Sequence, residues 1–98
     1  MFEISLGAQG EVRLAGRLDA SQCPKALEFL DALPAPHVVD LTRLEYISSA
    51  GLGVLLKTQK RLMASGRGLR LVNANRHIHD IFRYAGFDKI FEITAAGS

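Results

Sequence analysis

What most limits the folds open to this chain is the order in which two apolar periods follow one another. "MFEISL" at 1–6 and "EVRLAGRL" at 11–18 alternate apolar and other residues at period two, and "GAQG" between them supplies the glycines of a tight reversal. That is the pattern of an antiparallel hairpin. Helical and strand-like segments then take turns. With Ser21 as N-cap, Pro24 falls in a first helical turn where its missing N–H does no harm. Cys23, Ala26, Leu27, Leu30 and Leu33 then recur at helical spacing, and "PAP" at 34–36 stops that helix. "HVVDL" is too short and too β-branched for a helix and reads as a strand, followed by "TRLEYI" as a linking turn. In "SAGLGVLLKTQKRLMASG", Leu52, Leu55, Leu56, Leu62 and Met63 are expected on one inward face, with Gly66 ending the helix in a left-handed conformation. "LRLVN" is the next strand. "ANRHIHDIFRYAG" is a helix buried through Ile78, Ile81, Phe82 and Ala85, and "KIFEI" is the closing strand. The order β β α β α β α β predicts an α/β fold: a mixed sheet with an initial antiparallel hairpin and later parallel strands joined by right-handed crossovers, with helices packed on it.

With 98 residues, 48% of them hydrophobic, the chain is expected to form a single domain over 1–98, complete as it stands. Cys23 is the one cysteine, so no internal disulfide forms and a reducing compartment fits best. Glu3 and Glu11 interrupt the start where a signal peptide needs a basic and then apolar run, and no stretch reaches membrane-spanning length. A cytoplasmic location and no membrane insertion are therefore expected. The net charge of +2 comes from scattered residues. Lys57, Lys60 and Arg61 share one helical face, read as a solvated face or as an anion-binding patch. No aromatic residues interleave with them for base stacking, so nucleic acid is not an expected partner.

Enzyme motifs fail on spacing. Lys57 follows Leu56 rather than the glycine a P-loop requires, and the dinucleotide fingerprint lacks its third glycine. A nucleophile elbow needs glycine two residues before its serine, where Ser49 has Ile47 and Ser48 has Tyr46. His77 and His79, two apart on a helix, cannot face one metal, and His37 has no neighbouring ligand. No cofactor, no metal and no catalytic activity are expected.

"EYISSAGLGVLL" at 45–56 carries the functional signal. A hydroxyl at Ser48 or Ser49 can accept from the free N–H groups of the helix that begins there, and capping alone accounts for one serine. Ala50, Gly51 and Gly53 leave the first turn nearly bare, at a cost of about 1 kcal/mol per glycine relative to alanine, which suggests that something approaches that turn closely. A helix N-terminus also favours negative charge, so a phosphate on Ser49 would be tolerated.

"VVDLTRLEYISSAGLGVLL" closely resembles the signature of the STAS-domain family, the anti-sigma-factor antagonists. "GRLDA" at 16–20 resembles the family's Gly-x-Leu-Asp element, and "IFRYAGFDKIFEI" its closing helix and strand. The resemblance implies a phosphorylation switch without enzymatic activity of its own. The unmodified protein binds an anti-sigma factor that is also a serine kinase of histidine-kinase-like ATPase fold, and so releases a sigma factor that it touches only indirectly. Phosphorylation ends the binding, and a PP2C-type phosphatase resets it. By motif position the phosphoacceptor is Ser49. Ser48 stands where many phosphorylated members carry Asp, and is a second possible acceptor. Partner contacts are expected at Asp19, Ser48, Ala50, Gly51 and Gly53.

Asp19 is either a helix-start residue or an acidic contact for the kinase. Asp40 either bonds a turn amide or positions the switch turn. Parallel strands should bring Asp19, Ser49 and Asn73 to one edge of the sheet. The alternative function is a STAS-like adaptor that is never phosphorylated, such as a subunit of a membrane lipid-transport complex.

Overall fold

In a computed structural model of the chain, which describes residues 1–96, a five-stranded sheet carries three helices. Strands β1 (Phe2–Leu6) and β2 (Val12–Leu18) form the hairpin; α1 (Cys23–Asp31), β3 (Val38–Ile47), α2 (Ser49–Met63), β4 (Arg70–Ala74), α3 (Arg76–Tyr84) and β5 (Glu92–Ala95) follow. The sheet order is β1-β2-β3-β4-β5, antiparallel for the first pair and parallel thereafter. Three successive right-handed crossovers that step the same way across a sheet put all their helices on one face. Val12, Leu14, Leu18, Val39, Leu41, Leu44, Leu71 and the inner faces of the helices accordingly form one core cluster. Residues alternating with these, among them Arg13, Asp40 and Thr42, line an open hollow on the other face.

Several local expectations are corrected. "TRLEYI" is not a turn: β3 runs through it to Ile47, ten residues in all. The register slips between Arg13 and Ala15 and again between Gly16 and Arg17, so nine residues of β3 (Val39–Ile47) face seven of β2 (Val12–Leu18). Each extra residue resets which side chains point inward, so Leu41, Leu44 and Ile47 are buried at a spacing of three, which hides the strand from a period-two reading. Ser21 is not a cap. Asp19 caps a 3-10 turn at Ala20–Gln22 that leads into α1, whose N-cap Gln22 makes no side-chain bond.

The buried face of α2 is Gly51, Val54, Leu55, Thr58, Gln59 and Leu62, whereas Leu52 and Leu56 are half-buried and Met63 is 59% exposed. Gln59 earns its place inside by bonding on both sides: its Nε2 donates to Ile90 O at 3.0 Å and its Oε1 accepts from Leu69 N at 2.7 Å. Ala85 is exposed, because α3 has ended at Tyr84. In "KIFEI" Lys89 closes a second 3-10 turn and the strand starts at Glu92. Gly66, with φ of 74°, follows α2 in the left-handed conformation as expected.

Candidate functional site

The C-terminal ends of β2 and β3 lie side by side, Leu18 opposite Ile47, and the residues that leave them meet there. Ser48 N donates to Leu18 O at 2.9 Å, which ties the start of α2 to the end of β2. Ser48 itself is extended (φ −84°, ψ 170°), and its Oγ accepts from Gly51 N at 3.1 Å. It is therefore the N-cap, half-buried and with its oxygen engaged. Ser49 is the first helical residue and is exposed, as is Ala50. One serine is spent on the backbone, and the other presents its hydroxyl to solvent at the positive end of a 15-residue helix.

The two glycines of this turn do different things. A Cβ at Gly51 would lie 2.8 Å from Ile47 Cγ1 and 3.0 Å from Leu18 O, so this buried position is glycine because α2 seats directly on the two strand ends. Gly53 has nothing within 4 Å of a Cβ and is exposed. The open access expected of both belongs to Gly53 alone. Along the same helix Lys57, Lys60 and Met63 are exposed, while Leu56 is half-buried against the core. Arg61 leaves the basic face: it donates to Leu30 O at 2.9 Å and Leu33 O at 3.3 Å and approaches Asp31 at 3.8 Å, capping the end of α1.

Asp19 stands next to this turn as the residue after Leu18. Its Oδ1 accepts from Ser21 Oγ at 2.6 Å and from Ser21 N at 3.1 Å, and the Ser21 hydroxyl above all holds its carboxyl below the usual carboxylate range. Cys23 donates to Asp19 O at 3.3 Å; burial, and then the Asp19 charge, push its thiol up, away from a reactive thiolate.

Asp40 and Asn73 lie elsewhere. Asp40 Oδ1 accepts from Thr42 N at 3.0 Å, Thr42 Oγ1 at 2.5 Å and Asn73 Nδ2 at 3.2 Å, in the half of β3 that pairs with β4. It bonds an amide, in a bulged strand rather than a turn, and makes no bond to Ser48 or Ser49. Asn73, with φ of 61°, is held on the sheet beside Asp40 and does not join the edge where it was expected. The residue that sequence reasoning missed there is Asn75, which caps α3 by accepting from Ile78 N at 2.9 Å and donates to Leu44 O at 3.2 Å. Its signal was available as an Asn one residue ahead of a helical period. Among the described residues no three His, Cys, Asp or Glu side chains gather as metal ligands, and no helix is long and apolar enough to cross a membrane.

Residues 3–94 match the family model described as "Mlab, STAS domain". The chain is 31% identical over 88 residues to the anti-sigma-B factor antagonist of Bacillus subtilis, covering 87% of this chain and 81% of that protein. It is 30% identical over 87 residues to the anti-sigma-B factor antagonist of Listeria monocytogenes, covering 85% and 76%. A shorter match to BtrV of Bordetella bronchiseptica, 43% over 56 residues, spans 57% of this chain and about half, 48%, of that protein's length. The fold coincides with that of an anti-sigma factor antagonist from Mycobacterium paratuberculosis, at a TM-score of 0.78 and 23% identity over 96% of this chain and 84% of that one. It also coincides with SpoIIAA in its unphosphorylated form, at a TM-score of 0.73 and 19% identity over 99% and 90%.

Proposed function

The chain belongs to the STAS-domain family of anti-sigma-factor antagonists, and from that premise we propose that it is a binding protein switched by phosphorylation of Ser49. Unmodified, it docks an anti-sigma factor through the strand-end surface formed by Asp19, Ser48, Ser49, Ala50 and Gly53, with Gly51 setting the height of the turn from beneath. The sigma factor held by that partner is then released. The partner is a serine kinase, which transfers the γ-phosphate of ATP to Ser49 Oγ with loss of the hydroxyl proton and departure of ADP. A PP2C-type phosphatase hydrolyses the phosphoserine. The exchange takes place in the cytoplasm.

The observation that carries this reading is the division of labour between the two serines. Ser48 Oγ is committed to Gly51 N and half-buried, whereas Ser49 is exposed above the empty space at Gly53. In-line phosphoryl transfer needs a hydroxyl that a second protein can surround, and a negative charge added at the first helical residue meets the favourable end of the dipole. Incubation with the anti-sigma kinase and ATP, followed by intact-mass measurement, tests it. One added phosphate is expected on the natural protein and none on Ser49→Ala. A full shift on Ser49→Ala moves the site to Ser48 or beyond, and no shift on either protein leaves the unphosphorylated adaptor.

A further inference from the structure

The hairpin leaves β1 as an open edge of the sheet, and its pairing with β2 fixes what that edge presents. Arg17 N donates to Met1 O at 2.8 Å and Gly7 N to Glu11 O at 2.7 Å, at the two ends of one unbroken antiparallel register. Hydrogen-bonded couples alternate along such a ladder, so Glu3 and Ser5 are the residues of β1 that bond to β2. The N–H and C=O groups of Phe2, Ile4 and Leu6 therefore point outward. Lys25 Nζ donates to Phe2 O at 3.3 Å, in keeping with that direction, and the Ile4 and Leu6 groups have no such cover among the described residues. The side chains of the same three residues form a strip on the helix-bearing face: Phe2 is buried, Ile4 is half-buried against the core and Leu6 is 51% exposed. No proline and no bulge interrupts β1, the devices that commonly keep edges from pairing.

We propose that β1 pairs antiparallel with β1 of a second copy of this chain, about a two-fold axis at Ile4. Ile4 then faces Ile4 of the second copy and Phe2 faces its Leu6, and each couple exchanges both N–H···O bonds. Phe2 O has a second lone pair, so Lys25 keeps its contact. On the helix-bearing face the exposed Leu6 is laid beside the buried Phe2 of the other copy, which extends the apolar strip across the axis. Charge selects this register. On the open face Glu3, which is in none of the ion pairs among the described residues, comes opposite Ser5 of the second copy, and Ser5 stands beside Arg13 in the hairpin register. Two strand spacings, about 10 Å, separate Glu3 from that Arg13, within reach of two long side chains across a short hydroxyl. A two-fold axis at Glu3 sets like acids face to face, and one at Ser5 leaves Phe2 unpaired and Glu3 opposite Gly7. The opposite edge, β5, is shorter and carries the Arg70–Glu92 ion pair at its start.

Sedimentation velocity on the purified protein, across about a hundredfold range of concentration, tests this. A monomer passing into a dimer is expected, with weak affinity because one short edge buries less than the roughly 1,200 Å² of a stable interface. Leu6→Pro deletes an outward N–H and leaves the β1–β2 ladder whole, so it is expected to abolish the dimer while keeping the natural circular dichroism spectrum. Leu6→Lys is the second variant, for the case that the proline disturbs the fold; it keeps the N–H, sets a charge in the strip and is expected to weaken dimerisation at least about tenfold. The register is read by cross-linking in a Cys23→Ser background. Glu3→Cys protein mixed with Ser5→Cys protein should form a disulfide-linked dimer faster than either alone, since only the mixture sets one cysteine opposite another. Equal rates overturn the register. A monomer at every concentration, or a dimer that survives both Leu6 substitutions, overturns the inference. Protection of the Ile4 and Leu6 amides from hydrogen exchange only on addition of the anti-sigma kinase assigns the edge to a strand of that protein, and overturns self-pairing as well.

Discussion

A hydroxyl buried without a partner is a standing cost, and Thr58 carries one: it is 1% exposed and its Oγ1 has no hydrogen-bond partner among the described residues. Thr58→Val keeps the shape and removes the unpaired oxygen, so it is expected to raise stability by about 1 kcal/mol. Equilibrium denaturation checks this, and a destabilised variant means the hydroxyl has a partner in solution. Asp40 is the opposite case. Partial burial works against its charge, but the bonds from the Thr42 hydroxyl and amide and from Asn73 outweigh it and hold the carboxyl below its ordinary value. A carboxyl depressed in the folded state adds stability above its unfolded pKa of about 3.9, and loses that contribution as pH falls through the folded value. The stability gap between the natural protein and Asp40→Asn should therefore be full at pH 6 and shrink below about pH 4. A gap independent of pH assigns no role to the charge. Ser48 and Ser49 were legible as a helix start because capping is local in sequence. Gln59 was not, because its partners Leu69 and Ile90 arrive from other elements.

At the scale of the element, β3 and α2 show why a period can mislead. In "TRLEYI" the buried positions are Leu44 and Ile47, three apart, since two slips against β2 shift the inward positions, and only the pairing reveals them. In α2 the leucines mark two stripes. One, Leu55 and Leu62, faces the core, and the other, Leu52 and Leu56, flanks it half-buried, while Met63 lies toward solvent. Glycines look alike in a sequence but not in contact, and the same substitution should act with opposite sign at two positions of this helix. Gly53→Ala adds a methyl group to open space and removes backbone freedom from the unfolded chain, raising stability by about 0.5–1 kcal/mol. Gly51→Ala drives a Cβ against Ile47 and the Leu18 carbonyl and should cost about 1–3 kcal/mol. Thermal melting of both variants is the measurement, and a stabilised Gly51→Ala means that α2 can lift off the strand ends freely.

Across the whole molecule, the element order was enough to foresee the hairpin, the parallel strands and the convergence of Asp19 with Ser49, because crossover handedness leaves few alternatives. It was not enough to foresee how far along β3 each neighbour reaches. β4 pairs only with Val38–Asp40, so Asn73 stays with Asp40, while β2 follows β3 to its end. The parallel arrangement also gives the molecule two poles. Ser49 and Gly53 follow the end of β3 at one, and Lys89 precedes the start of β5 at the other. A switch confined to one pole needs no change of fold, since a charge at the first residue of α2 is compatible with the helix and a Cβ at the exposed Gly53 has nothing within 4 Å. Ser49→Asp and Gly53→Phe should therefore both keep the natural circular dichroism spectrum and melting behaviour while losing most of their binding to the anti-sigma kinase. Lys89→Ala should bind normally. Calorimetry on the three variants separates the possibilities: if Gly53→Phe binds normally the partner does not cover the first turn of α2, and if Lys89→Ala also loses binding the effect is spread through the fold rather than held at one pole.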